Sequence, residues 1–303
     1  MVVTRYELEF DQRNRLRSRR VVVGQKTTSQ NLSYNAEGSL VQVQGSSHTF
    51  KYTYDDNGNV VTMNQDAQKI TLGYDAGDRV SSVDDVVPVT YDQRGFVVRS
   101  GAVMYAYNDR GQLSYVSQTS KYRVWYNYDF RGRLAVWRDD QGNVSQFFYT
   151  NPLKPHLLTH LHMPKLGRTV RLHYDDNDHL ISMETPDQRW YVATDENGTP
   201  LVVFNVHGTV VKLVERTPFG RLIQDSDPGV YIGVDFRGGI VNPHTGLVHF
   251  GDRVYDPTIA QWLTPEWERL ATHLRRPQDV FLYRFHNNDP VNSDNKLDYM
   301  TSK

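Results

Sequence analysis

The sequence contains no cysteine. That absence removes disulfide frameworks, thiolate zinc sites and cysteine nucleophiles. It leaves the compartment open, because a large β structure can be extracellular without covalent staples. No stretch approaches the ~18 consecutive apolar residues of a membrane helix. The N-terminus lacks the apolar core of a signal peptide. Targeting and anchoring elements of an extracellular chain are therefore expected outside these residues. Neither charge sign dominates: 34 Lys+Arg face 35 Asp+Glu, whereas a nucleic-acid binder usually carries a basic excess. Phosphate loops, nucleophile elbows and zinc-binding His pairs with Glu are missing too. No nucleic acid, no cofactor and no enzymatic activity are expected. Hydrophobic content is only 38%, yet there are 19 Tyr, a balance that suits half-buried strands better than a Leu-rich helical core. At 303 residues the chain is long enough for one large domain or two ordinary ones.

What is present is a repeat. Its unit is an aromatic, Asp or Asn, two variable residues, Gly, a polar residue and an aliphatic. Clear copies are Tyr34-Asn…Gly38-Ser-Leu40, Tyr54-Asp…Gly58-Asn-Val60, Tyr91-Asp…Gly95-Phe-Val97, Tyr107-Asn…Gly111-Gln-Leu113, Tyr128-Asp…Gly132-Arg-Leu134 and Phe204-Asn…Gly208-Thr-Val210. Three further copies replace the glycine, with Asn14, Asp78 and Asp178 in its place. Gly, Asn and Asp share a tolerance of the left-handed backbone, so the fifth position is expected at positive φ in every copy. The leading Asp or Asn opens a type I turn by accepting a backbone hydrogen bond. The fifth residue closes it as a bulge, and the flanking aromatic and aliphatic pair across the hairpin. Asp139…Gly142 and Asp195…Gly198 keep the turn without the aromatic.

Phe50, Tyr52 and Tyr54 share one strand face, as do Tyr122, Val124, Tyr126 and Tyr128. From about residue 10 to 210 the pattern reads as a meander of hairpins, each too small to stand alone. Thr150–His156, with two prolines, reads as an insertion between hairpins. Arg13, Arg15, Arg17, Arg19 and Arg20 begin inside a turn copy and alternate in and out, as on a solvated strand face.

The repetition ends after Gly220. Gly246–Pro265 packs glycines, an Asp-Pro turn, aromatics and a proline stop into one stretch. A short amphipathic helix is expected from Thr264, with Trp267, Leu270, Ala271 and Leu274 on one face and Pro277 beyond its end. Phe281–Pro290 reads as a strand running into a turn.

The Tyr-Asp…Gly unit resembles the YD (Rhs) repeat. Tyr255-Asp-Pro…Trp262-Leu-Thr-Pro265 and Leu282-Tyr-Arg-Phe-His-Asn-Asn-Asp-Pro290 resemble the Rhs-associated core that closes such arrays. Within that superfamily the chain is most similar to teneurins, on Tyr191–Leu201, Thr217-Pro-Phe-Gly220, Gly238-Gly239, Gly246–Arg253 and Leu297-Asp-Tyr-Met300. The resemblance implies an all-β fold: YD hairpins in a spiralling sheet forming part of a large β-barrel shell, with one short helix in the C-terminal core. Residues 1–220 are the expected shell section and 221–303 the core with the start of a linker. It also implies the extracellular portion of a plasma-membrane protein, anchored by a transmembrane segment absent from this chain. Such a protein acts in cell adhesion and neuronal wiring through homophilic contacts and latrophilin-type adhesion receptors. The alternative is a bacterial-type shell that encloses a toxin and cuts itself free.

Self-cleaving Rhs cores use paired aspartates. Here the first position is Asp256, the second reads Pro265-Glu266, and Ala260-Gln261 stands where Gly-Arg is usual. A longer carboxylate and a missing Arg weaken that chemistry, so Asp256 is expected to open a turn before Pro257. Glycosylation triplets occur at Asn31-Leu-Ser33, Asn143-Val-Ser145 and Asn197-Gly-Thr199. Such triplets arise by chance in chains of this length. Asn143 and Asn197 sit in turns and are the better candidates in an extracellular chain. His160 and His162, with His156 nearby, read as exposed strand and loop histidines, since a metal site needs a third well-placed ligand. A carbohydrate-binding face of exposed Tyr and Trp stays open as a third reading, with the Tyr expected on the inner face of the sheet.

Overall fold

The computed structural model describes residues 4–24, 26–267 and 281–292. One antiparallel sheet of 22 strands dominates it. In chain order these are β1 (Thr4–Phe10), β2 (Leu16–Val23), β3 (Lys26–Tyr34), β4 (Leu40–Gly45), β5 (Thr49–Tyr54), β6 (Val60–Gln65), β7 (Gln68–Tyr74), β8 (Val80–Val83), β9 (Val87–Tyr91), β10 (Val97–Ser100) and β11 (Val103–Tyr107). They continue as β12 (Leu113–Gln118), β13 (Tyr122–Tyr128), β14 (Leu134–Asp139), β15 (Val144–Phe148), β16 (His160–Met163), β17 (Arg168–Tyr174), β18 (Leu180–Glu184), β19 (Arg189–Thr194), β20 (Pro200–Asn205), β21 (Val210–Arg216) and β22 (Leu222–Asp225). Each strand pairs antiparallel with its successor, so the sheet is a continuous meander. A second sheet follows: β23 (Ile240–Val241), β24 (Val248–Phe250), β25 (Arg253–Asp256) and β26 (Gln261–Trp262).

The turn chemistry accounts for the hairpins. In the unit at Tyr54, the Asp55 carboxylate accepts from Asn59 N at 2.8 Å, and the Asp55 carbonyl accepts from Gly58 N at 2.9 Å. The fifth position is left-handed with or without glycine: φ is +80° at Gly58, +59° at Asn14, +56° at Asp78 and +64° at Asp178. Aromatic and aliphatic stand opposite each other, as in Tyr54↔Val60 and Tyr128↔Leu134. At each such turn the register shifts by one residue, a bulge that reverses which side the following residues face. After the turn the inner face is therefore carried by residues three apart, Leu40 with Val43, Leu113 with Val116 and Leu180 with Met183, all buried.

A meander gives the sheet two rims, and the Tyr-led turns all fall on one of them. Strand order puts Asp139–Gly142 and Asn205–Gly208 on the opposite rim, as return turns between β14 and β15 and between β20 and β21. Inside the turn rim the repeat tyrosines form a ladder. The hydroxyls of Tyr34, Tyr54, Tyr74, Tyr91, Tyr107, Tyr149 and Tyr174 donate to the carbonyls of Leu16, Leu40, Val60, Val80, Val97, Leu134 and Leu158 at 2.5–3.0 Å. Burial raises all seven phenols above their ordinary pKa and keeps them donors. Each hydroxyl satisfies a carbonyl of the preceding hairpin, so the ladder sews neighbouring units together.

The sheet spirals until its first strands lie over its last. Val192 and Val203 face the main interior core, so their neighbours Ala193, Val202 and Phe204 face outward. Those three are nevertheless buried, packed against Val21 and Val23 of β2. Arg19 points the same way, with Nη1 2.9 Å from Glu196 Oε1 and 3.6 Å from Asp195 Oδ2. Tyr6 donates to the carbonyl of Thr194. Among the described residues no pairing joins β1 to β22, and closure is by overlap.

The chain after β22 turns inside the spiral. Ile232, Val234, Ile240, Leu247, Val254, Ile259 and Leu263 join the main core. Phe236, Phe250, Tyr255, Trp262 and Phe285 make an aromatic core of their own. This plug bonds to turns along the rim: Asn288 to the Gly58 carbonyl at 2.6 Å, Tyr283 to that of Gly95 at 2.6 Å, and Tyr255 to that of Phe219 at 2.8 Å. One expectation changes here. Phe281–Pro290 is not a strand; it makes one isolated bridge, Arg284 to Gln261, and then a 3-10 turn at His286–Asn288. The reason is backbone: His286, Asn287 and Asn288 all have positive φ, which an extended strand cannot use. The complete helical elements among the described residues are short 3-10 turns. The helix expected from Thr264 falls largely on residues 268–280, outside the described residues.

Candidate functional site: the plugged rim

The Gly246–Pro265 stretch is the centre of the plug. Gly246, at φ +71°, closes a turn whose Asn242 carboxamide oxygen accepts from His244 N and Thr245 N. β24 and β25 form a hairpin through Gly251, and β25 returns as β26 through the Asp-Pro turn. Asp256 opens that turn: its Oδ1 accepts from Thr258 N at 2.8 Å and Thr258 Oγ1 at 2.5 Å. Burial raises the Asp256 carboxyl above its ordinary range, against hydrogen bonds from Thr258 and Tyr105. Glu266 lies at the other end of the hairpin, with Oε2 3.0 Å from Arg253 Nη1. Asp256 pairs with Gln261, and Arg253 reaches the carbonyl of Thr264. Asp256 thus bonds Thr258 at one end of the hairpin, while Glu266 meets Arg253 at the other. Arg253, which sequence reasoning passed over, holds Glu266 and stacks over Trp262 at 4.2 Å.

One rung of the tyrosine ladder is redirected into the plug. Tyr128 Oη lies 3.3 Å from Nδ1 of His249 on β24. His249 is 2% exposed, and its Nε2 has no hydrogen-bond partner among the described residues. Burial pushes its pKa down to about 3, so the imidazole is neutral. With Nδ1 accepting from Tyr128, the ring proton is assigned to Nε2. His249 lines a 240 Å³ cavity whose wall mixes Tyr149, Leu158, Tyr174 and Phe250 with charged Asp178 and Arg237. The roof is the 150–159 connection, tied to the next turn by Lys154 and His156 on Asp178; His156 Nε2 is 2.9 Å from Asp178 Oδ2. Arg133 and His156 line the cavity as well. It can hold water or a small polar molecule, and His249 enters it as a neutral imidazole.

The remaining sequence candidates are dispersed. His160 and His162 share the outer face and bond Thr159 and Thr169 at 3.1 and 2.8 Å. No group of three or more His, Asp or Glu able to hold a metal occurs among the described residues. The early arginines are paired: Arg15 with Asp11, Arg17 with Glu9, Arg20 with Glu7, and Arg19 across the seam. On the outer face Trp125 lies between its cross-strand partners, Tyr115 at 5.3 Å and Arg138 at 5.4 Å, so neighbours flank the ring along the row. The turn asparagines are half-buried, with their amides bonded. Asn143 Nδ2 donates to Asp139 at 2.6 Å, and Asn197 Nδ2 donates to the Val291 carbonyl of the plug at 2.9 Å. Asn31 is exposed in mid-strand on β3.

A spiral of hairpins sewn by tyrosine hydroxyls, overlapped at one seam and filled by its own C-terminal plug, defines a YD-type shell. Residues 1–291 match the Teneurin YD-shell family, and the chain belongs to that family. It is 49% identical to Teneurin-m of Drosophila melanogaster over 298 residues, 98% of this chain and 11% of that protein. Against Teneurin-3 of Mus musculus the identity is 32% over 97% of this chain and 11% of that protein. The chain thus spans about a tenth of the length of these relatives. Among solved structures it is similar in fold to the Photorhabdus luminescens Tc holotoxin pore with mutation TccC3-D651A, with a TM-score of 0.63 at 16% identity, covering 96% of this chain and 18% of that one. The TcdB2–TccC3 complex without its hypervariable C-terminal region gives the same TM-score, 0.63, at 16% identity over 96% of this chain and 18% of that chain.

Proposed function

We propose that this chain is part of the extracellular shell of a teneurin-like adhesion receptor. Its outer surface meets protein partners, through homophilic contact and through adhesion receptors of the latrophilin type, in cell–cell recognition and neuronal wiring. A transmembrane segment outside this chain anchors it. The observation that carries the reading is the single family match running unbroken through sheet and plug, residues 1–291. Asp256 opens a turn on Thr258 and Glu266 bonds Arg253, and these structural roles favour the adhesion reading over a self-cleaving container. The test uses the whole protein displayed on non-adherent cells, mixed with cells bearing the same protein or a latrophilin-type receptor. Mixed aggregates are expected with at least one of them. Dispersed cells in both mixtures, with the protein on the surface, overturn the reading.

A further inference from the structure

The three glycosylation triplets stand in different environments. Asn31 and Ser33 lie on the outer face of β3, both exposed. Their neighbours face inward: Leu32 is buried in the core under the seam, and Gln30 accepts from Arg19 Nε at 2.6 Å. β3 pairs with β2 of the overlap, and Asn31 stands between Ser18 and Gln44. The Asn31 side chain makes no hydrogen bond among the described residues, so nothing in the fold depends on its amide protons.

The other two amides are structural. Asn197 donates into the plug at Val291, and Thr199 of the same triplet is 4% exposed, its hydroxyl accepting from Arg237 N at 3.1 Å. A sugar on Asn197 must enter the joint between rim and plug. Asn143 is held from both ends, donating to Asp139 at 2.6 Å and accepting from Lys165 Nζ at 2.9 Å, while Ser145 is 2% exposed. A sugar there must displace the Lys165 clamp.

We propose that Asn31 carries the N-linked glycan of this chain, and that Asn143 and Asn197 are bare in the folded protein. The inference rests on the extracellular reading above. In the transfer, Asn31 Nδ2 bonds to C1 of an oligosaccharide carried on a lipid pyrophosphate. The bond from C1 to the pyrophosphate oxygen breaks, the lipid pyrophosphate leaves, and one amide proton is lost. The glycan then projects from the polar outer face of β2–β4 and covers that flank of the seam.

The experiment maps peptides of the full-length protein, taken from the surface of cells after labelling with a membrane-impermeant biotin reagent. Enzymatic deglycosylation in heavy-oxygen water converts each occupied Asn to a labelled Asp. Within residues 1–303, conversion is expected at Asn31 and not at Asn143 or Asn197. Asn31→Gln and Ser33→Ala each remove one deglycosylation-sensitive mobility shift and leave the surface level unchanged. Surface-labelled protein with an unconverted Asn31, or with conversion at Asn197, overturns this proposal and leaves the extracellular reading intact. Protein that no impermeant reagent reaches overturns both.

Discussion

The hydroxyl of Tyr128 meets Nδ1 of His249 at 3.3 Å, where the neighbouring repeat tyrosines each cap a carbonyl of the preceding hairpin. By its place in the ladder its acceptor would be Leu113. This rung couples the sheet wall to the plug. A double-mutant cycle on Tyr128→Phe and His249→Phe should therefore be non-additive by about 1 kcal/mol, the order of one buried hydrogen bond. Chemical denaturation of the shell-bearing protein measures it, and additive losses contradict the coupling. Tyr54→Phe, by contrast, uncaps the carbonyl of the fully buried Leu40. It should cost about 1–3 kcal/mol by itself.

His249 also sets a pH dependence. Its folded pKa of about 3 lies below the ordinary 6.5, so between those values the unfolded chain binds a proton that the folded chain does not. Its contribution is fully present above pH 6.5 and is lost as pH falls toward 3. The slope is about 1.4 kcal/mol per pH unit at most. His249→Phe should flatten the acid limb of a stability–pH profile measured from pH 7 to 5, where the paired surface carboxylates contribute least. An unchanged profile contradicts the assignment.

The seam rests on a buried charge. Arg19→Ala strips the partner from Glu196 and Asp195, whose carboxyl burial and Glu196 already raise. Breaking such a pair from one side costs about 3 kcal/mol or more. Exchange of the β1–β2 amides with deuterium should quicken in this variant. Protection equal to the parent there means that the overlap does not need the ion pair.

Two glycines with the same backbone separate strain from crowding. Gly142 is at φ +78° with open space beside it, so alanine costs only the left-handed penalty of about 1 kcal/mol. Gly95 is at φ +82°, and a Cβ there meets the Tyr283 hydroxyl at 2.5 Å, the group that bonds the Gly95 carbonyl. Gly95→Ala should destabilise clearly more than Gly142→Ala in thermal unfolding. Equal losses contradict the docking of the plug at this turn.

Turn positions, the left-handed fifth residue and the Tyr–aliphatic pairs were legible in the sequence because they are local and repeat. The one-residue bulge was legible as a turn feature, but its reversal of the inner face was not. Phe204–Val210 reads as one more unit, and only the count of strands assigns it to the return rim. The seam was hidden by distance, since Arg19 and Glu196 lie 177 residues apart. The plug was hidden by brevity: β23 and β26 have two residues each, too few to show a period. Nothing marks Tyr128 in the sequence as different from its fellow repeats. Asn197 looked accessible as a turn residue because the plug that covers it belongs to a segment 94 residues away.

On the function proposed above, shell and plug are one uncut unit facing the outside of the cell. The most direct measurement labels intact cells bearing the full-length protein with an impermeant reagent and follows the chain on a denaturing gel. Labelled protein is expected as a band unbroken near the plug, and it should be identical for Asp256→Asn. A break shortly after Glu266 that Asp256→Asn abolishes, or labelling only after permeabilisation, would contradict the account.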